Sequence, residues 1–351
     1  MKGNVSIIYV QTPFHWRVAK RIIFKPDAEN INWLIVCNPL MSSLLKEEAA
    51  EFQIVSTENL ELKFSWNLFG HLINRGRLLK SIREEKKKWE GFTQSNNIQK
   101  IFFFSEKNVF IQMLMNLIDA NTEVWCVDEG TALYVEEKTL DWVFKCAYRI
   151  VTPLLLGCRY EFFRAHGTHS RINRWLVRLP FCFPNKGNEK AVVGFQEYGI
   201  AEVQSIPEFV TRPMKMLILF SPFSEDKRKS IQKEGEMLHN LVAFLSRHHW
   251  QIVIKPHPRE KNFEKYSMIK NVDCVKILSE KSSSEVLDYR DFGAVIHFYS
   301  SSVIDLLESG FPASWIITLE AGYHLDIPSI FGKTHELKLG DWKQMEILLN
   351  E

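Results

Sequence analysis

The stretch W-Q-I-V-I-K-P-H-P-R-E at 250–260 sets the tightest limit on how this 351-residue chain can fold. Its apolar run, Ile252 to Ile254, is short and β-branched, the pattern of a strand buried in a parallel sheet. Pro256 and Pro258 stop the strand and stiffen the loop after it. Lys255 and His257 are thereby fixed at the carboxyl end of a strand, where open α/β sheets bind their ligands. A lysine charge beside a histidine donor suits a phosphate. The plain alternative is a proline-stopped strand whose histidine only closes a loop.

The same grammar recurs along the chain. The run V-S-I-I-Y-V at 5–10 reads as a first strand. In the loop Gln11-Thr12-Pro13-Phe14-His15, Thr12 is placed as N-cap and Pro13 at the first helical position. A helical pattern over 16–24 and a second apolar run at 33–37 complete a β-loop-α-β unit, half of a Rossmann-like domain. The loop has no G-x-G-x-x-G, so it is not a dinucleotide fingerprint. A basic helix over 72–90, with Lys86-Lys87-Lys88, reads as a solvated face. Strands at 101–104 and 123–127 flank a helix at 109–118.

Between 180 and 213 the breakers Pro184, Gly187, Gly194, Gly199, Pro207 and Pro213 accumulate, and a second strand–helix series follows. It runs as a strand at 215–220, a hydroxyl-rich loop at 221–226, a helix at 227–248 and the strand and loop at 250–258. Next come strand 272–278, a short helix from Ser282 that contains Glu285, strand 293–299, helix 303–309, strand 315–318 and an amphipathic helix at 337–349. The expected division is 1–210, 211–335 and a C-terminal helix at 336–351, an α/β chain with two Rossmann-like domains.

Two further loops carry chemistry. Asp128-Glu129-Gly130 follows the strand at 123–127. In an extended chain neighbouring side chains point opposite ways, so one acid can face a cleft while the other bonds to backbone. A carboxylate facing a cleft can serve as a general base, and modest desolvation would raise its pKa to help. The plain alternative is a surface turn or helix cap. Ser300-Ser301-Ser302 lies where a strand meets a helix, and its hydroxyls and N–H groups suit an anion.

Charge and cysteines bound the rest. The net charge is +2, so nothing global demands nucleic acid. Locally, 138–190 holds ten Lys/Arg against Asp141, Glu161 and Glu189, interleaved with aromatics such as Trp142, Tyr148, Tyr160 and Trp175. That mixture fits an anionic membrane surface or an anionic acceptor, or helices packed with arginines outward. Six cysteines without a C-x-x-C pair suggest a reducing, cytoplasmic setting. The apolar stretch 142–158 carries Lys145, Arg149 and Pro153 and does not read as transmembrane.

Taken together, Asp128-Glu129-Gly130, His257-Pro258 and Ser301-Ser302 resemble the D/E-D/E-G, HP and SS motifs of bacterial sialyltransferases, in that family's order. The start, Tyr9-Val10-Gln11-Thr12-Pro13-Phe14, with Ala19 on the next helix, resembles the lipooligosaccharide sialyltransferases; the three motifs are shared with the polysialyltransferases. The resemblance spans about 9–312. It implies a GT-B fold, two Rossmann-like domains facing across a cleft, and an inverting, metal-independent transfer of sialic acid from CMP-sialic acid to a surface glycan such as lipopolysaccharide, lipooligosaccharide or capsule.

The resemblance also implies roles. Glu129 takes the general base and His257 the general acid at the CMP phosphate. Ser301 and Ser302, with Ser300, bind that phosphate; Glu285 binds the ribose; Lys255 and Pro258 complete the donor loop. Asp128, Gly130, Thr12 and His15 lie on the acceptor side. No cofactor or metal is implied. The implied partners are a CMP-sugar donor and an oligosaccharide or glycolipid acceptor; the arginine- and aromatic-rich stretch 142–178 adds the inner face of the cytoplasmic membrane as an expected contact, a homodimer is a further expectation, and nucleic acid is not among the partners. K-P-H-P with a serine-rich loop also occurs in Kdo transferases and CDP-glycerol polymer transferases, which remain alternatives, as does a non-catalytic nucleotide- or glycan-binding protein.

Overall fold

The computed structural model describes residues 3–25, 31–57, 72–106, 108–134, 146, 159–161, 166–180, 183–184, 191–200, 212–225, 229–257, 260–278, 287–298, 300, 302–320 and 335–350. The chain divides into two compact units, Met1–Ala201 and Glu202–Glu351.

In the first unit seven parallel strands form one sheet: β1 (Gly3–Val10), β2 (Trp33–Cys37), β3 (Gln53–Ser56), β4 (Asn96–Phe103), β5 (Glu123–Val127), β6 (Arg174–Val177) and β7 (Val192–Gly194). Their order is β3-β2-β1-β4-β5-β6-β7. Ile7 to Val10 and all of β2 are buried, because helices cover both faces of a parallel sheet and no polar face is left to alternate. The helices include α1 (Pro13–Ile23), α2 (Pro39–Glu48), α3 (Leu72–Ser95) and α4 (Val109–Leu117). Trp16, Ala19 and Ile22 of α1 pack with Ile8, Ile35 and Phe102 of the sheet in one core cluster.

The second unit repeats the plan with β8 (Lys215–Leu219), β9 (Gln251–Lys255), β10 (Val275–Ile277), β11 (Ala294–His297), β12 (Ile316–Glu320) and β13 (His335–Lys338). The order is β10-β9-β8-β11-β12-β13, again all parallel. The helix Ile231–Arg247 lays Leu238, Leu241 and Leu245 on this sheet, and the final helix Trp342–Asn350 adds Met345, Leu348 and Leu349 to the same core.

In both sheets the winding reverses direction beside the first strand. The reversal falls between β1 and β4 in one unit and between β8 and β11 in the other. Such a reversal is where open α/β sheets bind their ligands, because the loops on its two sides run to opposite faces.

Two expectations are corrected here. The tail does not form one helix over 337–349: His335–Lys338 pairs in parallel with β12, and the helix starts only at Trp342. Within the basic aromatic stretch, Arg174–Val177 is a strand. Residues 135–145, 147–158 and 162–165 of that region lie outside the described residues. Among its described members, Tyr160 and Trp175 are buried, Arg178 pairs with Asp128, and Arg171 donates to the carbonyls of Ile118 and Asp119. Tyr160, Trp175 and Arg178 thus serve the interior, while Arg171 is half-buried. Among the described residues no helix is long and apolar enough to cross one.

Candidate active site

The loops that follow β1 and β5 meet at one carboxylate. Thr12 caps α1: its hydroxyl accepts from the N–H of His15 at 3.2 Å, and Pro13 holds the first helical position. The cap places His15 on the first turn. Its ring stacks on Phe104, with centroids 4.1 Å apart and planes 4° from parallel. Its Nδ1 accepts from the N–H of Gln11 at 3.2 Å, which leaves the ring hydrogen on Nε2. Nε2 lies 3.3 Å from Glu129 Oε2.

The other oxygen of Glu129 has an imidazole of its own. His166 Nδ1 lies 3.0 Å from Oε1. His166 begins a sharp turn that several groups pin. Glu106, just past β4, accepts from the N–H groups of Gly167 at 2.8 Å and Thr168 at 3.0 Å. Trp175 Nε1 donates to the Gly167 carbonyl at 2.9 Å. Gly167 has φ +73°, and a Cβ there would meet Leu133 Cδ1 at 2.7 Å, so the turn is built around glycine.

Asp128 faces the other way, as alternation along an extended chain requires. Its side chain is 0% exposed, against 22% for Glu129. Oδ1 accepts from Gly130 N at 2.8 Å and from Arg178 Nη2 at 3.2 Å; Oδ2 accepts from Arg178 N at 3.1 Å and from the Tyr134 hydroxyl. Every oxygen is committed to the protein. Asp128 therefore builds the loop, and Gly130, at φ 140°, completes it.

The expected rise in the Glu129 pKa is reversed. Burial pushes it up, but the two imidazoles against its oxygens outweigh burial and hold it at about 2. Glu129 is thus ionised at any working pH. With its Nδ1 accepting from Gln11, His15 turns its Nε2 hydrogen toward Glu129, and the carboxylate stands between two imidazoles. Among the described residues no group of three or more His, Cys, Asp or Glu is placed to hold a metal ion.

In the second unit the sequence-marked loops lie beside the β8/β11 reversal. Lys255 ends β9 and is buried; its carbonyl accepts from Phe220 N at 3.1 Å. His257 is half-buried. Its N–H donates to Glu260 Oε1 at 2.6 Å, and Glu260 N returns a bond to the His257 carbonyl at 2.9 Å. Glu260 Oε2 in turn accepts from Tyr266 Oη at 2.7 Å and lies 2.9 Å from Lys265 Nζ. Lys265 also pairs with Glu234 at 2.7 Å and with Glu225 at 3.7 Å. One buried lysine thus ties the loops after β8 and β9 to the helix Ile231–Arg247. Burial raises the Glu260 pKa despite these partners.

The serine loop has its own support. His297, at the end of β11, is fully buried, and burial lowers its pKa to about 3. Its Nδ1 accepts from Ser300 N at 3.3 Å, so its Nε2 hydrogen goes to Thr318 Oγ1 at 2.8 Å. Ser300 Oγ accepts from Ser302 N at 3.3 Å, and Ser221 Oγ donates to the Phe298 carbonyl at 2.6 Å across the reversal. Pro258, Glu285 and Ser301 lie outside the described residues.

The structure thus brings Thr12, His15, Asp128, Glu129 and Gly130 together in one unit, and Lys255, His257, Ser300 and Ser302 onto strand ends of the other. Sequence reasoning missed His166, Glu106, Glu260 and His297. The only signal for His166 was the cluster H-G-T-H-S at 166–170, two histidines around Gly167 and Thr168.

A model of the alpha-2,8-polysialyltransferase family matches residues 7–306. No curated protein matches the sequence. Among solved structures, the kitacinnamycin glycotransferase superposes with a TM-score of 0.58 at 10% identity, over 100% of this chain and 90% of that one. A calicheamicin glycosyltransferase gives 0.55 at 11% identity, over 100% and 91%. The UDP-GlcNAc 2-epimerase of Methanocaldococcus jannaschii, in complex with UDP-GlcNAc and UDP, gives 0.53 at 14% identity, over 99% and 93%. At such identities the likeness shows the shared GT-B fold, and the presence of an epimerase illustrates that the fold alone does not name the reaction.

Proposed function

The chain belongs to the alpha-2,8-polysialyltransferase family, a family of glycosyltransferases, and from that premise we propose that it moves sialic acid from CMP-sialic acid to a hydroxyl of a sialyl-terminated surface glycan. The observation that carries the proposal is the Glu129 carboxylate, ionised and held through both oxygens at the end of β5. Glu129 takes the proton of the acceptor hydroxyl as that oxygen bonds to the anomeric carbon of sialic acid. The bond from that carbon to the CMP phosphate breaks, and His257 gives a proton to the departing phosphate oxygen. A single displacement from the opposite face inverts the centre.

A base with a pKa of about 2 does not strip an alcohol beforehand. It acts late: as the new C–O bond forms, the acceptor oxygen gains oxonium character and its proton becomes strongly acidic. On the donor side, Ser300, Ser301 and Ser302 offer hydroxyls to the phosphate, Lys255 and Pro258 shape its loop and Glu285 takes the ribose. CMP leaves with one phosphate, whose charge an imidazolium and hydroxyl donors can neutralise, so the proposal includes no metal.

The test is incubation of the purified protein with CMP-sialic acid and a panel of lactose- and sialyl-terminated acceptors, read by free CMP and product mass. Product heavier by one or more sialic acids is the expected result. Intact donor with every acceptor, together with turnover of CMP-Kdo or CDP-glycerol, would overturn the donor assignment.

A further inference from the structure

We propose that His15 and His166 are positioning residues that act through Glu129, fixing the orientation of its carboxylate. This rests on the reading of Glu129 as the base. Each carboxylate oxygen has two lone-pair directions, and each already meets one imidazole nitrogen, at 3.3 Å for His15 and 3.0 Å for His166. Turning the carboxylate would take its oxygens away from both rings. The Glu129 side chain keeps 22% of its surface exposed, room for an acceptor hydroxyl to reach a remaining lone pair.

Both imidazoles are themselves held. His15 is clamped between the Phe104 ring and the Gln11 N–H; His166 sits at the head of the turn pinned by Glu106 and Trp175. The charged groups around Glu129 are otherwise committed: Asp128 and Arg178 to one another, and Glu106 to backbone N–H groups. Three separate strand ends, those of β1, β4 and β5, converge with the 166–168 turn on one carboxylate.

The two rings use different atoms, and this gives the test its sharpness. His166 presents Nδ1, which the amide nitrogen of asparagine can replace; His15 presents Nε2, which the amide nitrogen of glutamine can replace. We expect H166A and H15A to lower kcat by about 10²-fold with little change in KM, the cost of a misdirected reacting group. H166N and H15Q should recover most of that loss, whereas H166Q and H15N should not. In the alanine variants the acid-side fall in activity should begin at a higher pH than in the parent, because one of the two imidazoles that hold the Glu129 pKa down is gone while its burial remains. Transfer assays use CMP-sialic acid and a sialyl oligosaccharide, and thermal melts confirm folding. If folded alanine variants keep kcat and the parent's acid-side profile while E129Q is inactive, the positioning role is wrong and the base assignment stands. If E129Q is fully active, the base assignment fails and the inference fails with it.

Discussion

Asp128 and Glu129 share a peptide bond and none of each other's surroundings. Asp128 is closed in by Arg178, Tyr134 and two backbone N–H groups; Glu129 stands half-open between two imidazoles. One acid builds the loop and the other is presented by it.

Asp128→Ala tests that division. It leaves the buried Arg178 guanidinium, the Tyr134 hydroxyl and two N–H groups without their acceptor, a loss of about 3–5 kcal/mol for a broken buried pair. Urea unfolding followed by tryptophan fluorescence should show it. A loss below about 1 kcal/mol, within the range of a surface substitution, would contradict the structural role.

Gly167→Ala places a methyl against Leu133 at a backbone angle that side chains rarely adopt. Strain of this kind costs about 1–3 kcal/mol, and the turn that carries His166 should shift with it. The expected result is a lower unfolding midpoint with reduced kcat. Unchanged kcat in a destabilised variant would show that the turn does not govern the site.

Glu260→Ala removes the acceptor of the His257 N–H and one partner of the buried Lys265. Donor-side kinetics should suffer first: a KM for CMP-sialic acid raised about tenfold, equivalent to about 1.4 kcal/mol, with the acceptor KM little changed. Equal changes in both KM values would argue against a role confined to the donor loop.

His297 gives the second unit a predictable acid response. Burial lowers its folded pKa to about 3, from an ordinary 6.5. Between those values the unfolded chain binds the proton and the folded chain does not. The contribution is therefore complete above pH 6.5 and is lost as pH falls toward 3. Unfolding midpoints measured across that window should decline more steeply in the parent than in His297→Gln. Parallel curves would show that the ring titrates normally.

How much of this was legible follows from distance along the chain. Thr12 and Pro13 announced the start of α1 because capping is local chemistry, and the structure has Thr12 capping and Pro13 at the first position. The run at 33–37 is β2 and that at 123–127 is β5, because strands buried on both faces advertise themselves as unbroken apolar runs. Alternation alone predicted that Asp128 and Glu129 would part.

Short strands were harder. Arg174–Val177 is bracketed by arginines and Val192–Gly194 has three residues; pairing with a neighbour already in place makes them strands. His166 was invisible for a related reason. It stands 37 positions beyond Glu129, and only the ordering of β4, β5 and β6 brings it back. Glu106 and Glu260 looked like ordinary loop acids, because a carboxylate that accepts backbone N–H groups leaves no spacing pattern in a sequence. The direction of the Glu129 pKa was misjudged with them, since it depends on the imidazole that the sequence did not disclose.

The most direct measurement compares sialic acid transfer by the parent protein, Glu129→Gln and His257→Ala, with CMP-sialic acid and a sialyl-terminated acceptor, following free CMP and product mass together. The account predicts elongated product from the parent and losses of about 10²-fold or more in both folded variants, the usual scale for removing a general base or acid. Full transfer by both variants would contradict the assignment of the reaction to these two loops.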